Sequence, residues 1–181
     1  MTLTEAIEFL RPALAAQGQV WADLGAGSGT FTEALAHLLG PSGVVVAVDN
    51  DPIAVRSLRN LADRIPTGAA SIEVLKGDIS VLSAIPDIAR HSWQGVLLAN
   101  VLHFFQEPAR LLREVSSTIA DTGRVVVIEY RRRSANRWVP YPISPDQLEV
   151  AARTAGFESV RMVSERPSRF GGNLYCAVLE G

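Results

Sequence analysis

The stretch from Val20 to Thr30 constrains the fold more than any other part of this 181-residue chain. Its sequence, VWADLGAGSGT, is typical of a short apolar strand, a glycine-rich turn and the start of a helix. Because glycine has no Cβ, the turn can be sharp and a ligand can approach its main chain closely. The following helix N-terminus adds unpaired N–H groups, with Ser28 or Thr30 as the expected cap. The pattern predicts a nucleotide-like ligand at the carboxyl edge of a parallel sheet.

The spacing of the glycines separates two classes of ligand. Dinucleotide-binding turns follow the pattern G-x-G-x-x-G, in which the third glycine lets the helix pack closely on the strand. Here the glycines are Gly25, Gly27 and Gly29, so the third comes one residue early. Asp23 lies two residues before the first glycine, where a carboxylate would repel a pyrophosphate and attract a cation such as an amino group.

The run DLGAGSG at 23–29 resembles the first motif, D/E-x-G-x-G-x-G, of the class I methyltransferases that use S-adenosylmethionine. Every fixed position of that motif is matched. The resemblance implies that S-adenosyl-L-methionine is the cofactor and that Asp23, Gly25, Ala26 and Gly27 bind it. It also implies an enzyme that transfers a methyl group by in-line displacement.

Two alternatives stay open beside this interpretation. A nicotinamide-dependent oxidoreductase is disfavoured by the early third glycine and by Asp23. It is also disfavoured because Lys76, the one lysine of the sequence, has Ile72 rather than tyrosine four residues before it. A non-catalytic S-adenosylmethionine-binding protein is the alternative of a different class.

Apolar runs alternate with helical patterns along the whole chain. Val44–Val48 is an unbroken run ending in Asp49, typical of a strand covered on both faces. The alternation predicts a single α/β domain over 1–181, and the resemblance extends this to a Rossmann-like three-layer sandwich. Its expected sheet is seven-stranded and mostly parallel, with an antiparallel last strand. We further expect an N-terminal helix over 2–16, a turn at 121–123 before the fifth strand, and an irregular acceptor-side loop at about 131–143.

Polar residues follow the second, third and fourth strands. Asp49 ends the second, where a carboxylate can accept hydrogen bonds from both hydroxyls of a ribose; a helix-capping role is the alternative. The resemblance places Asn50 beside the adenine.

Asp78 ends the third strand and can accept a hydrogen bond from the exocyclic amine of adenine, with a turn or cap role as the alternative. The resemblance adds the N–H of Ile79 as a contact to a ring nitrogen, and the backbone carbonyl of Asn100 as a contact to the methionine amino group. The run ANVLHF at 99–104 is similar to small-molecule methyltransferases related to the ubiquinone/menaquinone C-methylases.

His103 is the candidate catalytic base for an O- or N-acceptor, because histidine can take up a proton near neutral pH. A histidine that only packs or hydrogen-bonds in its loop is the alternative. The acceptor is expected to meet residues at the end of the fifth strand and in the loop after it, where charge and stacking suit an anionic or flat aromatic molecule. These residues are Glu129, Tyr130, Arg133, Trp138 and Tyr141. A solvated loop is the alternative for the last three.

The amino-acid composition limits the kinds of partner that the chain is expected to bind. A formal net charge of −2 gives no overall attraction to nucleic acid, and none is expected. Cys176 is the one cysteine, so neither an internal disulfide nor a cysteine-based metal site can form, and no metal is expected. No apolar run reaches membrane-spanning length and no signal peptide is recognisable. We expect a cytoplasmic protein with a small-molecule acceptor, whose pocket is open or is completed by a second copy in a homodimer.

Overall fold

The structure, a computed structural model, describes residues 1–14, 16–86, 88, 92–131, 134–168 and 171–181. Its strands are β1 (Val20–Leu24), β2 (Val44–Asp49), β3 (Ser71–Lys76), β4 (Trp93–Ala99), β5 (Ile119–Tyr130), β6 (Ser159–Pro167) and β7 (Asn173–Glu180). Its α-helices are α1 (Leu3–Leu10), α2 (Thr30–Leu39), α3 (Pro52–Arg64), α4 (Pro108–Ser116) and α5 (Pro145–Ala155). Short 3-10 turns cover Arg11–Ala13, Ile79–Ala84 and Leu102–Phe104.

Within these residues the strands form one seven-stranded sheet in the order β3-β2-β1-β4-β5-β7-β6. The first five strands of this order pair in parallel, and β7 is antiparallel to both β5 and β6. The predicted mostly parallel sheet with an antiparallel last strand is therefore confirmed. Because β6 is antiparallel to β7, it runs in the same direction as β5. The carboxyl end of β6 thus reaches the same edge of the sheet as the ends of β1 to β5.

Two buried clusters cover the two faces of the sheet, which gives the predicted three layers. Successive residues of a strand point to opposite faces, so Trp21 packs with α1 and α2, while Ala22 and Leu24 pack with α4 and α5. All three side chains are fully buried. Burial on both faces is the reason why the apolar run of β2 shows no alternation.

The N-terminal segment is shorter as a regular helix than the predicted 2–16. A capping box between Thr2 and Glu5 starts α1, which ends at Leu10 and continues as a single 3-10 turn at Pro12. Proline lacks an N–H and clashes with the preceding turn, so the α-helix does not extend past it. No helix among the described residues is long and apolar enough to cross a membrane.

The turn predicted at 121–123 is wrong. These residues belong to β5, whose pairing with β4 shifts register between the pairs Trp93–Ile119 and Gly95–Arg124. The extra residues are accommodated as a bulge, which bends a strand without ending it.

Candidate functional site

A cavity of about 960 Å³ lies along the carboxyl edge of the sheet. Its volume is near the upper end of the ~300–1,000 Å³ usual for small-molecule sites. Nine of the residues predicted for the site line it: Gly25, Ala26, Gly27, Asp49, Asn50, Asp78, Ile79, Asn100 and Tyr130. Five others do not: Asp23, His103, Glu129, Trp138 and Tyr141. Arg133 lies outside the described residues.

The glycine turn needs its glycines for two different reasons. Gly25, Gly27 and Gly29 all have positive φ, at 75°, 56° and 90°, a region that other residues enter only with strain. At Gly25 a Cβ would also lie 2.7 Å from Cγ2 of Val101. At Gly27 a Cβ would meet no atom within 4 Å, so the main chain there is open to a ligand in the cavity.

The cap of α2 differs from the prediction. Gly29 is the N-cap residue and no side chain caps the helix, so neither Ser28 nor Thr30 has that role. Gly29 adopts the left-handed conformation that ends the turn. The first turn of α2, with Thr30 and Phe31, lines the cavity. Backbone N–H groups at such an end favour an anionic or hydrogen-bond-accepting group of a ligand.

Asp49 joins the end of β2 to the glycine turn. Its Oδ2 accepts a hydrogen bond of 2.8 Å from the N–H of Gly27, and its Oδ1 accepts one of 2.9 Å from the N–H of Asp51. The helix cap that was the alternative for this residue is supplied instead by Asp51, whose side chain accepts from the N–H of Ile53 at 2.9 Å. Asp49 is therefore a carboxylate on the cavity wall rather than the cap of α3.

Asp23 lies beneath the glycine turn, off the cavity wall. Its carboxyl group is 1% exposed and accepts a hydrogen bond of 2.6 Å from the Thr32 hydroxyl of α2. The pKa of Asp23 is raised to about 7: burial is the main cause, the hydrogen bond from Thr32 opposes it, and the charge of Asp49 adds a smaller rise. The buried carboxyl can therefore change its charge near neutral pH.

Asp78 has the cap role considered for it and also lies on the cavity wall. Its Oδ1 accepts a hydrogen bond of 2.9 Å from the N–H of Ser80, so it caps the 3-10 turn that follows. This bond holds the pKa of Asp78 below its usual range, and the ionised carboxylate lines the cavity beside Ile79.

Asn100, at the end of β4, combines an unusual backbone conformation with a buried side-chain oxygen that has no hydrogen-bond partner. Its φ is 58°, the one positive value at a non-glycine position among the described residues, and asparagine tolerates that region best. Its backbone N–H donates to the carbonyl of Ile128 at 2.8 Å. Its side-chain Oδ1 is buried without a hydrogen-bond partner. A buried acceptor on a cavity wall costs free energy unless a ligand supplies a donor.

His103 and Glu129 form a buried pair behind the cavity wall. His103 Nδ1 lies 2.8 Å from Oε2 of Glu129, and the His103 N–H donates to Oε1 at 3.2 Å. Their exposed fractions are 3% and 1%. The imidazole ring lies behind two wall residues, with ring centroids 4.4 Å from Phe104 and 6.4 Å from Tyr130.

The prediction that Glu129 contacts the acceptor is therefore corrected. Both its oxygens are bonded to His103 and its side chain is turned away from the cavity. Neighbouring residues of a strand point to opposite faces, so Tyr130 lines the cavity and Glu129 does not.

The aromatic residues of the loop after β5 also lie away from the cavity. Trp138 is 66% exposed and stacks on the guanidinium of Arg137 at 4.3 Å. Tyr141 is 45% exposed, and its N–H donates to the carbonyl of His103 at 3.0 Å. The loop thus contacts the 3-10 turn that contains His103. The rings of Trp138 and Tyr141 do not line the cavity where an acceptor would bind.

The sequence interpretation missed the far end of the cavity. Glu5 of α1, Phe31 of α2, Arg166 of β6 and Leu174 of β7 line it. No motif marks these positions, because they meet only when β7 reverses direction and brings the end of β6 to the common edge.

The family comparison identifies the central part of the chain. A family model described as a methyltransferase domain matches residues 22–127, which is more than half of the 181 residues. An uncharacterized 37.1 kDa protein in a transposon of Streptomyces fradiae is 31% identical over 115 residues. That match covers 62% of this chain and 30% of the relative, so the chain spans less than a third of the relative's length.

Solved structures show the same fold. An arsenic (III) S-adenosylmethionine methyltransferase from Chlamydomonas reinhardtii has a TM-score of 0.72 at 20% identity, over 97% of this chain and 69% of that one. The N-terminal domain of EvdMO1, with SAH bound, has a TM-score of 0.70 at 18% identity, over 99% of this chain and 80% of that one.

Proposed function

The chain belongs to the methyltransferase domain family, and on that premise we propose that it transfers a methyl group from S-adenosylmethionine to a small-molecule acceptor. The family and the fold make it an enzyme of the S-adenosylmethionine-dependent class and favour this over a nicotinamide-dependent oxidoreductase. The acceptor and the roles of individual residues are our proposal. The narrower likeness to the ubiquinone/menaquinone C-methylases stays a prediction.

The observation that carries the proposal is the order of polar groups along the cavity. Asp78, Asp49, the glycine turn and Asn100 follow β3, β2, β1 and β4, which are neighbours in that order. Adjacent strands lie about 4.8 Å apart, so the row is roughly 14 Å long. A purine, a ribose and an amino group joined end to end can donate hydrogen bonds to acceptors in this order, and we assign the unpaired Oδ1 of Asn100 to the amino group. The residues present therefore fit the cofactor.

The protein's contribution to the reaction is mainly binding and alignment. The cofactor, when bound, supplies a methyl group already activated on a sulfonium. Asp49 and Asp78 would hold the ribose and the adenine at one end of this row, and Asn100 would hold the amino group at the other. Phe31 and Tyr130 provide apolar walls that keep water from the acceptor. Such alignment can supply about 7–11 kcal/mol of the barrier without any side-chain nucleophile.

His103 is proposed as the base for an acceptor that must lose a proton. Glu129 beside Nδ1 favours the tautomer that carries its proton on that nitrogen, so Nε2 is the proton acceptor. His103 lies behind Phe104, whose side chain is 57% exposed and therefore free to turn aside. Catalytic contacts are often incomplete before the substrate is bound.

Calorimetry tests the cofactor without requiring turnover. We expect the protein to bind S-adenosylmethionine and S-adenosylhomocysteine and not NAD, because the third glycine of the turn, Gly29, comes one residue earlier than in a dinucleotide-binding turn. Tight binding of NAD alone would overturn the proposal.

Transfer of labelled methyl groups to a metabolite extract then identifies the acceptor, and binding without any transfer would favour a sensor. A small acceptor, rather than nucleic acid, is expected from the aromatic side chains that line the cavity and from the net charge of −2. Separately, we predict that the protein is a homodimer, and sedimentation would measure its assembly state.

The acceptor of the arsenic-methylating neighbour is not proposed for this chain. Arsenic (III) is a soft centre that thiolates bind well. The sequence has one cysteine, Cys176, which is fully buried in β7. Burial raises the pKa of its thiol to about 12, so it is a core residue, as expected from its apolar neighbours.

A further inference from the structure

The acceptor end of the cavity contains a cation that no motif predicted. Arg166 stands near the carboxyl end of β6, and this end shares an edge with the ends of β4 and β5 because β6 and β5 run in the same direction. Among the described residues that line the cavity, Arg166 has the one cationic side chain. The carboxylates Asp49 and Asp78 line the opposite end, beyond β1. At the Arg166 end the carboxylate is Glu5, which also lines the cavity.

Arg166 is held by the first turn of α1. Its Nη2 donates to Oε1 of Glu5 at 2.7 Å, and its Nη1 donates to the backbone carbonyl of Glu5 at 3.3 Å. The second oxygen of Glu5 accepts a hydrogen bond of 2.7 Å from the N–H of Thr2. Glu5 therefore serves both as the capping-box residue of α1 and as the counter-ion of Arg166 at the cavity.

We propose that Arg166 selects the acceptor by binding an oxyanion on it, and that Glu5 occupies this position until the acceptor arrives. The inference rests on the proposed function and names its substrate class: a small molecule with an apolar, ring-sized body and a carboxylate. Phe31, Tyr130 and Phe104 provide aromatic surface for that body. The planar guanidinium matches a carboxylate through two parallel hydrogen bonds.

The existing ion pair can be exchanged for a ligand because it is only partly shielded from water. The side chains of Arg166 and Glu5 are 26% and 42% exposed, and ion pairs at such exposure contribute little to stability. A ligand carboxylate that enters the cavity excludes water from the guanidinium, so its bond to Arg166 is stronger than that of Glu5. Glu5 keeps its bond to Thr2 when it gives up Arg166, so α1 retains its cap.

A pair of isosteric probes tests the inference in protein saturated with S-adenosylhomocysteine. The probes are 4-hydroxybenzoate and its neutral amide, 4-hydroxybenzamide, with binding followed by NMR titration. We expect the benzoate to bind at least tenfold more tightly than the amide. Arg166→Gln should abolish that preference. Glu5→Gln should strengthen benzoate binding several-fold, because glutamine preserves the capping box and removes the competing charge.

Controls separate this inference from the function on which it rests. Arg161→Gln removes an exposed positive charge from the same strand, away from the cavity, and should leave the preference unchanged. Thermal unfolding and S-adenosylhomocysteine affinity show that each variant is folded. Equal or absent binding of the two probes by the wild-type protein, or a preference that survives Arg166→Gln, would overturn the inference and leave the methyltransferase proposal standing. Failure of the wild-type protein to bind S-adenosylhomocysteine would overturn both.

Discussion

Asp49 Oδ2 accepts a hydrogen bond of 2.8 Å from the N–H of Gly27, so a side chain at the end of β2 holds the turn that follows β1. The same carboxylate lines the cavity, where the proposal assigns it to the ribose of the cofactor. One residue thus shapes the glycine turn and presents a charged acceptor to the ligand. Its replacement should affect binding more than folding.

Asp49→Asn should weaken binding of S-adenosylhomocysteine by roughly 10- to 100-fold. Asparagine keeps an oxygen for the N–H of Gly27 but loses the charged acceptor for the ribose hydroxyls, which costs about 1.5–3 kcal/mol. Calorimetry measures the affinity. Asp51→Asn is the matched control, since it removes a charge two residues away and asparagine still caps α3. Equal affinities of wild type and Asp49→Asn would take Asp49 out of the site.

Asp23 should make stability depend on pH. Burial raises its pKa to about 7 in the folded protein, against about 3.9 in an unfolded chain. Between these values the folded state binds a proton that the unfolded state has released, so the contribution of Asp23 is fully present below about pH 4 and is lost as the pH rises to about 7. Asp23→Asn cannot titrate and should lack this dependence.

Urea unfolding at pH 5 and pH 8 measures the effect of Asp23. The free energy of unfolding of the wild type, relative to Asp23→Asn, should fall by about 3 kcal/mol between the two conditions, since roughly two pH units lie between pH 5 and the folded pKa and each corresponds to about 1.4 kcal/mol. Asp51→Asn, at an exposed position, should run parallel to the wild type. A constant difference between wild type and Asp23→Asn would show that Asp23 is ionised throughout.

His103→Gln should lower the rate of methyl transfer to a hydroxyl or amine acceptor by roughly 10²- to 10⁴-fold, the usual contribution of a general base. The affinity for S-adenosylhomocysteine should not change, because His103 does not line the cofactor row. The acceptor for this assay comes from the extract screen. A full rate in His103→Gln, together with lowered thermal stability, would instead make the His103–Glu129 pair a structural tie between β5 and its neighbouring turn.

The sequence was enough to predict that the polar residues after the strands lie on one edge of the sheet, and the reason is physical. Strands buried on both faces appear as unbroken apolar runs, so the positions of Asp49, Asp78 and Asn100 after such runs place them on one edge of a parallel sheet. The glycine spacing adds the main chain of the turn. These features are local, and each can be recognised within about ten residues.

The acceptor end depends on features that are not local. Whether Glu129 or Tyr130 faces the cavity is decided by a shift of one residue in β5, because neighbouring residues alternate in direction. Arg166 reaches the cavity only through the reversal of β7. Trp138 and Tyr141 lie in a loop without periodicity, where aromatic residues alone do not indicate which way they point.

Gly95→Ala should destabilise the protein although it lies far from the charged site residues. Trp21 is fully buried, and a Cβ on Gly95 would lie 2.3 Å from Cε2 of its ring. Overpacking of this kind costs about 1–3 kcal/mol. Trp21→Leu alone should also destabilise, by leaving a cavity. Combined, the two changes should cost less than their sum by about 1–2 kcal/mol, since the smaller side chain makes room for the methyl group. Urea unfolding of the four proteins measures this coupling, and strictly additive losses would show that the ring does not require glycine beneath it.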